Sequence, residues 1–233
     1  MKLLGRALVS GLLQVQRGVV FLLFKTLYGL KVKGTRFIPR TGPAILAPNH
    51  QTRFDALPVG YKVPQPVFCA VDRDYFSKPV IGWWLRTFRG VPLGERRDRD
   101  GYQKCLGVLR SGHRLILFPE GSLSRDGRLR KLLPGAARAA LTCGAPIVPV
   151  TIVGAFEVWP RSRPLPRLFR PIVVKFYPPI RCEVAEKADL KRLIEEVNGQ
   201  LERIMKRRLE AWRRVRERRY GMRDGAVREI DSS

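Results

Sequence analysis

The stretch "PAILAPNHQTRFDALPVG", residues 43–60, decides the architecture. Ala44 to Ala47 form an unbroken apolar run with neither helical nor alternating spacing, the pattern of a short strand buried on both faces. The run stops at a polar cluster that holds His50, and Asp55 follows five positions later. A polar cluster at the carboxyl end of a buried strand sits at the mouth of the sheet, where open α/β folds place their ligands.

Similar runs recur downstream. "PVFCAV", "RLILFP", "APIVPVTIVG" and "PIVVKFY" read as strands, and "SKPVIGWWLRTFRG", "DGYQKCLGVLRSG" and "LPGAARAALTCG" between them have helical spacing and a closing glycine. Strands alternating with helices predict an α/β fold, a largely parallel or mixed central sheet flanked by helices. Pro149 in the strand "APIVPV" predicts a bend or an edge position, because proline cannot donate to a ladder. Residues 157–171, "EVWPRSRPLPRLFRP", form a proline-rich basic loop.

Three segments are expected: a membrane-associated helical segment over 1–30, the α/β domain over 31–200, and a basic helix and tail over 201–233. The first, "MKLLGRALVSGLLQVQRGVVFLLFKTLYGL", is apolar, but Arg6, Gln14, Gln16, Arg17 and Lys25 cut it into pieces too short to span a bilayer. A signal peptide fits poorly, since no small-residue cleavage site follows and apolar character resumes at "GVVFLLF". Two short amphipathic helices in the bilayer interface fit better, with cations reaching toward phosphates; a core-packing helical hairpin is the alternative. At the other end, Leu190, Leu193, Val197, Leu201, Ile204 and Met205 make one stripe of a long helix whose later part, "RIMKRRLEAWRRVRERRY", is strongly basic.

Charge narrows the partners. With 45 Lys and Arg against 20 Asp and Glu, the net charge is +25, which calls for a polyanionic surface, either nucleic acid or an anionic membrane. No helix-turn-helix, zinc or RNP signature supports nucleic acid, and the apolar N-terminus favours the membrane. The four cysteines are dispersed and only two histidines are present, so no metal site is expected and a reducing compartment suits the chain.

The chemistry gathers at four short stretches. His50 could merely satisfy backbone groups. It could also act as a general base, with Asp55 fixing one tautomer and stabilising the imidazolium; spacing alone leaves both open. "GVPLGERR" places Arg96 and Arg97 after a tight strand-like segment, where a guanidinium can grip a phosphate with two hydrogen bonds. "FPEGSLSRDG" ends a buried strand with Glu120, Gly121 and Ser122. It lacks the second glycine of a nucleophile elbow, and no phosphate-binding loop is present.

In this order and at these separations, "NHQTRFD", "GVPLGER", "FPEGSLSRDG" and "IVPV" resemble the four blocks of the glycerolipid acyltransferase family, most nearly its bacterial 1-acylglycerol-3-phosphate acyltransferase branch. The resemblance spans roughly residues 32–179. It implies the glycerol-phosphate acyltransferase-like fold, His50 as base with Asp55 as its partner, and Arg96 as a phosphate ligand beside Arg97. It implies Glu120, Gly121 and Ser122 in acceptor binding or site architecture, and Pro149 in shaping an acyl groove. The implied reaction moves an acyl chain from acyl-CoA or acyl-carrier protein to a lysophospholipid hydroxyl, giving phosphatidic acid. It needs no cofactor, and it implies a monotopic protein on the cytoplasmic face of the membrane. Leu123 and Leu132–Leu133 stand where relatives often carry an arginine and a Phe-Lys pair, so the acceptor headgroup is left open. A non-catalytic basic lipid- or nucleic-acid-binding protein is the alternative, against which the joint presence of His50 and Asp55 counts.

Overall fold

The computed structural model describes every residue except 1, 65, 95–97, 161 and 221–233; Arg96, Arg97, Arg161 and the end of the basic tail lie outside the described residues. Among the described residues, seven strands, β1 (Lys31–Lys33), β2 (Ala44–Pro48), β3 (Val67–Asp72), β4 (Gly90–Leu93), β5 (Arg114–Ile116), β6 (Ile147–Val153) and β7 (Val173–Phe176), form one sheet in the order β1-β7-β6-β2-β5-β3-β4. Neighbours run parallel except β6 and β7, which are antiparallel. The helices are α1 (Lys2–Tyr28), α2 (Ala56–Gly60), α3 (Pro79–Thr87), α4 (Arg99–Arg110), α5 (Gly135–Cys143), α6 (Ala155–Val158) and α7 (Leu190–Tyr220). The mixed α/β class expected from the alternating runs is the class observed.

The central strands are buried throughout, as their uninterrupted apolar runs required: every residue of β2, β5 and β6 is buried. Successive side chains alternate between faces. Ile45, Ala47, Leu115 and Ile147 therefore pack with α4, α5 and α7 on one side. Leu46, Ile116, Val148 and Val150 pack with α1 and α2 on the other.

Two local expectations change. The N-terminal apolar segment is one continuous helix, not two short ones. Arginine and glutamine interrupt hydrophobicity without interrupting a helix, since both are good helix formers, and lone glycines cost only about 1 kcal/mol each. Among the described residues no helix is long and apolar enough to cross a membrane. Pro149 lies inside a central strand, opposite Ala47 of β2, and not at an edge. Its carbonyl accepts from Tyr177 N (3.0 Å) just past the end of β7, so the missing N–H falls on the side where the ladder stops. The sheet thus tolerates the proline without losing a bond to β2.

The long C-terminal helix begins at Leu190, and Ile194, Val197, Leu201 and Met205 enter the first core. The boundary drawn at residue 200 falls within α7, and the basic part continues from a helix anchored by its own apolar stripe.

Candidate active site

β2 delivers Asn49, His50 and Gln51 to the carboxyl end of the sheet, and each is tied down separately. Asn49 is buried, donating to Ile152 O (2.9 Å) and accepting from Ile152 N (2.7 Å), which locks the end of β2 to β6. Gln51 donates to Gly127 O (3.2 Å) and accepts from Phe156 N (3.2 Å). Between these two fixed amides stands His50, whose side chain is 20% exposed.

Asp55, only 1% exposed, immediately precedes α2. Its Oδ2 accepts from Gln51 N (2.5 Å) and Thr52 N (2.8 Å), and lies 3.1 Å from His50 Nδ1. Its Oδ1 accepts from the Thr52 hydroxyl at 2.7 Å. An ionised carboxylate only accepts, so His50 Nδ1 must be the protonated nitrogen and Nε2 carries the lone pair. Among the described residues nothing occupies Nε2. The imidazole stacks on Phe118 with ring centres 3.8 Å apart and planes 21° from parallel. That contact fixes the ring, and its π-face suits a positive imidazolium.

Glu120, 3% exposed, braces the same residue from behind. Oε1 accepts from His50 N (2.7 Å) and Oε2 from Arg130 N (2.8 Å). Ser124 N donates to His50 O at 2.8 Å, so both backbone groups of His50 are held by the "FPEGSLSRDG" loop. Burial pushes the Glu120 carboxyl up to about 7, against the pull of the two backbone N–H groups. Gly121 adopts φ 67°, and a Cβ there would lie 2.5 Å from Leu133 Cδ1, so this turn needs glycine. Ser122 is exposed.

The structure therefore brings His50, Asp55 and Glu120 together with Gly121. Pro149 is buried in β6, one position short of Val150, which pairs with Pro48 at the end of β2. Arg96 and Arg97 lie outside the described residues. Asp98, which follows them, accepts from Gly94 N (2.6 Å), Gly101 N (3.0 Å) and Arg73 Nη2 (2.7 Å), tying both ends of that loop to α4. The Gly101 and Gly94 amides, with Arg73 beside them, hold its carboxyl below the usual range. Asn49, Gln51, Thr52 and Phe118 were not singled out from sequence. The repeated side-chain amides flanking His50 were the available signal.

Beside α2 lies an apolar cavity walled by Ala56, Leu57, Phe68, Trp84, Phe88 and Val20, among others. α2, which begins directly after Asp55, thus contributes to the cavity together with residues of α1, β3 and α3. Among its described lining residues Pro149 is absent. All four cysteines are free, and burial raises their thiols, to about 12 at Cys69 and about 11 at Cys105 and Cys182, so none offers a ready thiolate.

A family model described as Acyltransferase matches residues 29–153, more than half of the chain. The chain is 30% identical over 137 residues to the chloroplastic 1-acyl-sn-glycerol-3-phosphate acyltransferase of Brassica napus, a match covering 57% of this chain and 40% of that protein. It is 28% identical over 131 residues to the 1-acyl-sn-glycerol-3-phosphate acyltransferase of Borreliella burgdorferi, covering 54% and 52%. The chain thus spans about half or less of the length of these relatives. The crystal structure of the 1-acyl-sn-glycerophosphate acyltransferase PlsC from Thermotoga maritima superposes with a TM-score of 0.64 at 26% identity, covering 78% of this chain and 71% of that one.

Proposed function

Since this chain belongs to the acyltransferase family, we propose that it transfers a fatty acyl chain from a thioester to the free hydroxyl of a lysophospholipid, 1-acylglycerol-3-phosphate, giving phosphatidic acid. The observation that carries this reading is the fixed His50–Asp55 pair, with Nδ1 committed to Asp55 Oδ2 and Nε2 left over. The acceptor hydroxyl gives its proton to Nε2 as its oxygen attacks the thioester carbonyl. The imidazolium, stabilised by Asp55, then returns that proton to the departing thiolate, so His50 ends as it began. Transfer is direct, with no metal, no resident cofactor and no covalent acyl-enzyme. Acyl-CoA and acyl-carrier protein are the two candidate donors.

Glu120 serves as a positioning residue in this scheme, because both its oxygens are occupied by backbone amides and it has little capacity left for an acceptor. The apolar cavity beside α2 receives an acyl chain. Arg96, with Arg97 beside it, grips the acceptor phosphate. Losing such a charge-assisted bond costs about 1.5–3 kcal/mol, so Arg96→Ala weakens use of the phosphate-bearing acceptor by roughly 10- to 100-fold. Lysine restores only part, lacking the planar fork. The protein works at the cytoplasmic face of a membrane, held from one side through α1 and its cationic surface.

The test is acyl transfer by purified protein, with a panel of lysolipids and both thioester donors. Transfer to lysophosphatidic acid in preference to neutral lysolipids supports the reading. No transfer to any lysolipid, from folded protein and either donor, refutes it.

A further inference from the structure

We propose that α3 is a second bilayer-contacting element, which together with α1 places the mouth of the apolar cavity against an anionic lipid surface. This rests on the lipid acyltransferase reading above and adds to it where the enzyme touches the membrane.

α3 is a short helix with unlike faces. Gly82 and Leu85 are buried against the body of the protein, and a Cβ at Gly82 would collide with Phe76 O, which is how closely the helix is seated. Trp84 and Phe88 pack on each other, ring centres 4.1 Å apart, and line the cavity with Leu85. Val80, Ile81 and Trp83 project outward, 79%, 40% and 64% exposed. Three large apolar side chains so exposed on one nine-residue helix mark a contact surface. Tryptophan in such a place suits the boundary between headgroups and acyl chains.

The α1 part of the cavity wall repeats the arrangement. Val20 of α1 lines it, while Val19, Leu22 and Leu23 beside it are 51%, 60% and 49% exposed. α1 is seated by Phe21 stacked on Tyr61, 4.2 Å between centres and 6° from parallel. Both walls therefore hide one set of apolar side chains in the cavity and present another to the outside. A lipid chain leaving a bilayer in contact with both rims would stay in apolar surroundings.

Charge selects the occupant. Lys78 and Arg86 are exposed on and beside α3, and Lys62 is exposed beside α1, over the Phe21 and Tyr61 rings. Cations flanking an inserted apolar patch meet anionic headgroups. A second copy of a chain with net charge +25 would be repelled from the same place.

The experiment uses the full chain and vesicles of phosphatidylcholine and phosphatidylglycerol, some with brominated acyl chains. Brominated vesicles quench wild-type tryptophan fluorescence, and Trp83→Phe, which keeps the apolar surface, removes most of the quench while vesicle binding stays. Val80→Asp/Trp83→Asp lowers the vesicle partition coefficient about 100-fold, as loss of two buried apolar side chains implies. The same variant acylates a short-chain lysolipid presented as free monomers at the wild-type rate, and vesicle-embedded lysolipid far more slowly. Unchanged partitioning of the double variant, or equal quenching in Trp83→Phe, overturns the role of α3 and leaves the acyltransferase reading standing. Dimerisation that depends on Trp83 in the absence of lipid overturns it in favour of a second copy. Vesicle binding through α3 with no acyl transfer to any lysolipid would uphold the surface and refute the activity.

Discussion

β2 and β5 lie side by side, and a polar cluster is buried at each of their two ends. At the amino end, Arg114 is 4% exposed, and its guanidinium donates to Pro39 O (2.9 Å), Pro64 O (3.4 Å) and Arg40 O. His113, just before it, stacks on Phe68 at 5.5 Å. At the carboxyl end, Asp55, Glu120, Asn49 and Gln51 bind backbone groups just as thoroughly, yet all of them serve to hold one side chain whose Nε2 stays open. Both clusters meet the requirement that buried polar groups be satisfied. Only at the carboxyl end does a buried carboxylate fix a histidine through one ring nitrogen and leave the other for a substrate. The difference lies in what converges: carbonyls around a cation at one end, and backbone N–H groups around carboxylates beside a histidine at the other.

The most severe way to break this comparison is to exchange the histidines' fates. His50→Ala lowers acyl transfer by about 10⁴-fold while circular dichroism and vesicle binding stay as in the wild type. His113→Ala leaves turnover within about threefold, because a ring stacked on Phe68 at the far end of the strands has no part in proton transfer. Comparable losses in the two variants would erase the functional distinction between the ends.

Asp55→Asn sharpens the same point. An amide oxygen at the Oδ2 position can still accept the three N–H groups, and Thr52 Oγ1 can accept from the amide nitrogen. The loop therefore survives, and what disappears is the negative charge beside the imidazolium. Turnover falls by up to about 10⁴-fold, with little change in thermal midpoint. A large drop in stability with normal turnover of the folded fraction would make Asp55 a loop staple only.

At the other end, Arg114→Met inverts the pattern. Three carbonyls lose their donor, which costs about 1–3 kcal/mol of unfolding free energy, while turnover per folded molecule stays near normal. Denaturant unfolding and a kinetic assay on the same preparation separate the two quantities.

The sequence shows one end far better than the other, for physical reasons. Burial on both faces left plain apolar runs at β2, β5 and β6, and the partly buried β3 and β7 are still apolar enough to read, whereas β1, "KVK", is a three-residue edge strand with no such run. His50 and Asp55 are close in sequence, and their pairing could be read from spacing. Asn49 and Gln51 find their partners at Ile152 and Phe156, over a hundred residues away, and only the folded sheet brings these together. The cluster around Arg114 was invisible for the same reason, its acceptors being backbone carbonyls that carry no residue signature. Pro149 misled because a proline reports a missing donor but not which side of the strand the gap faces.

The smallest expected change is a slope in stability with pH, and it concerns Glu120. Burial places its carboxyl at about 7 in the folded protein, against 4.5 for an ordinary glutamate. The folded state thus keeps a proton that the unfolded chain releases. Its contribution to stability is fully present below about 4.5, declines as pH rises from about 4.5 to 7, and is level above that. Asp55 adds to the rise through its negative charge, so the two carboxylates at this end of the sheet act on each other. Glu120→Gln is neutral at every pH. The difference in unfolding free energy between wild type and this variant, measured by denaturant titration from about pH 5 to 8, should change across that window and then hold steady. The substituted glutamine also offers only one good acceptor to the amides of His50 and Arg130, so a modest loss of turnover accompanies the change, with the pH of half-maximal turnover unmoved if Glu120 only positions the base. A wild-type stability curve parallel to that of the variant would show that the carboxylate is ionised throughout, held by its two N–H donors, and that the catalytic end is as fixed in charge as the end around Arg114.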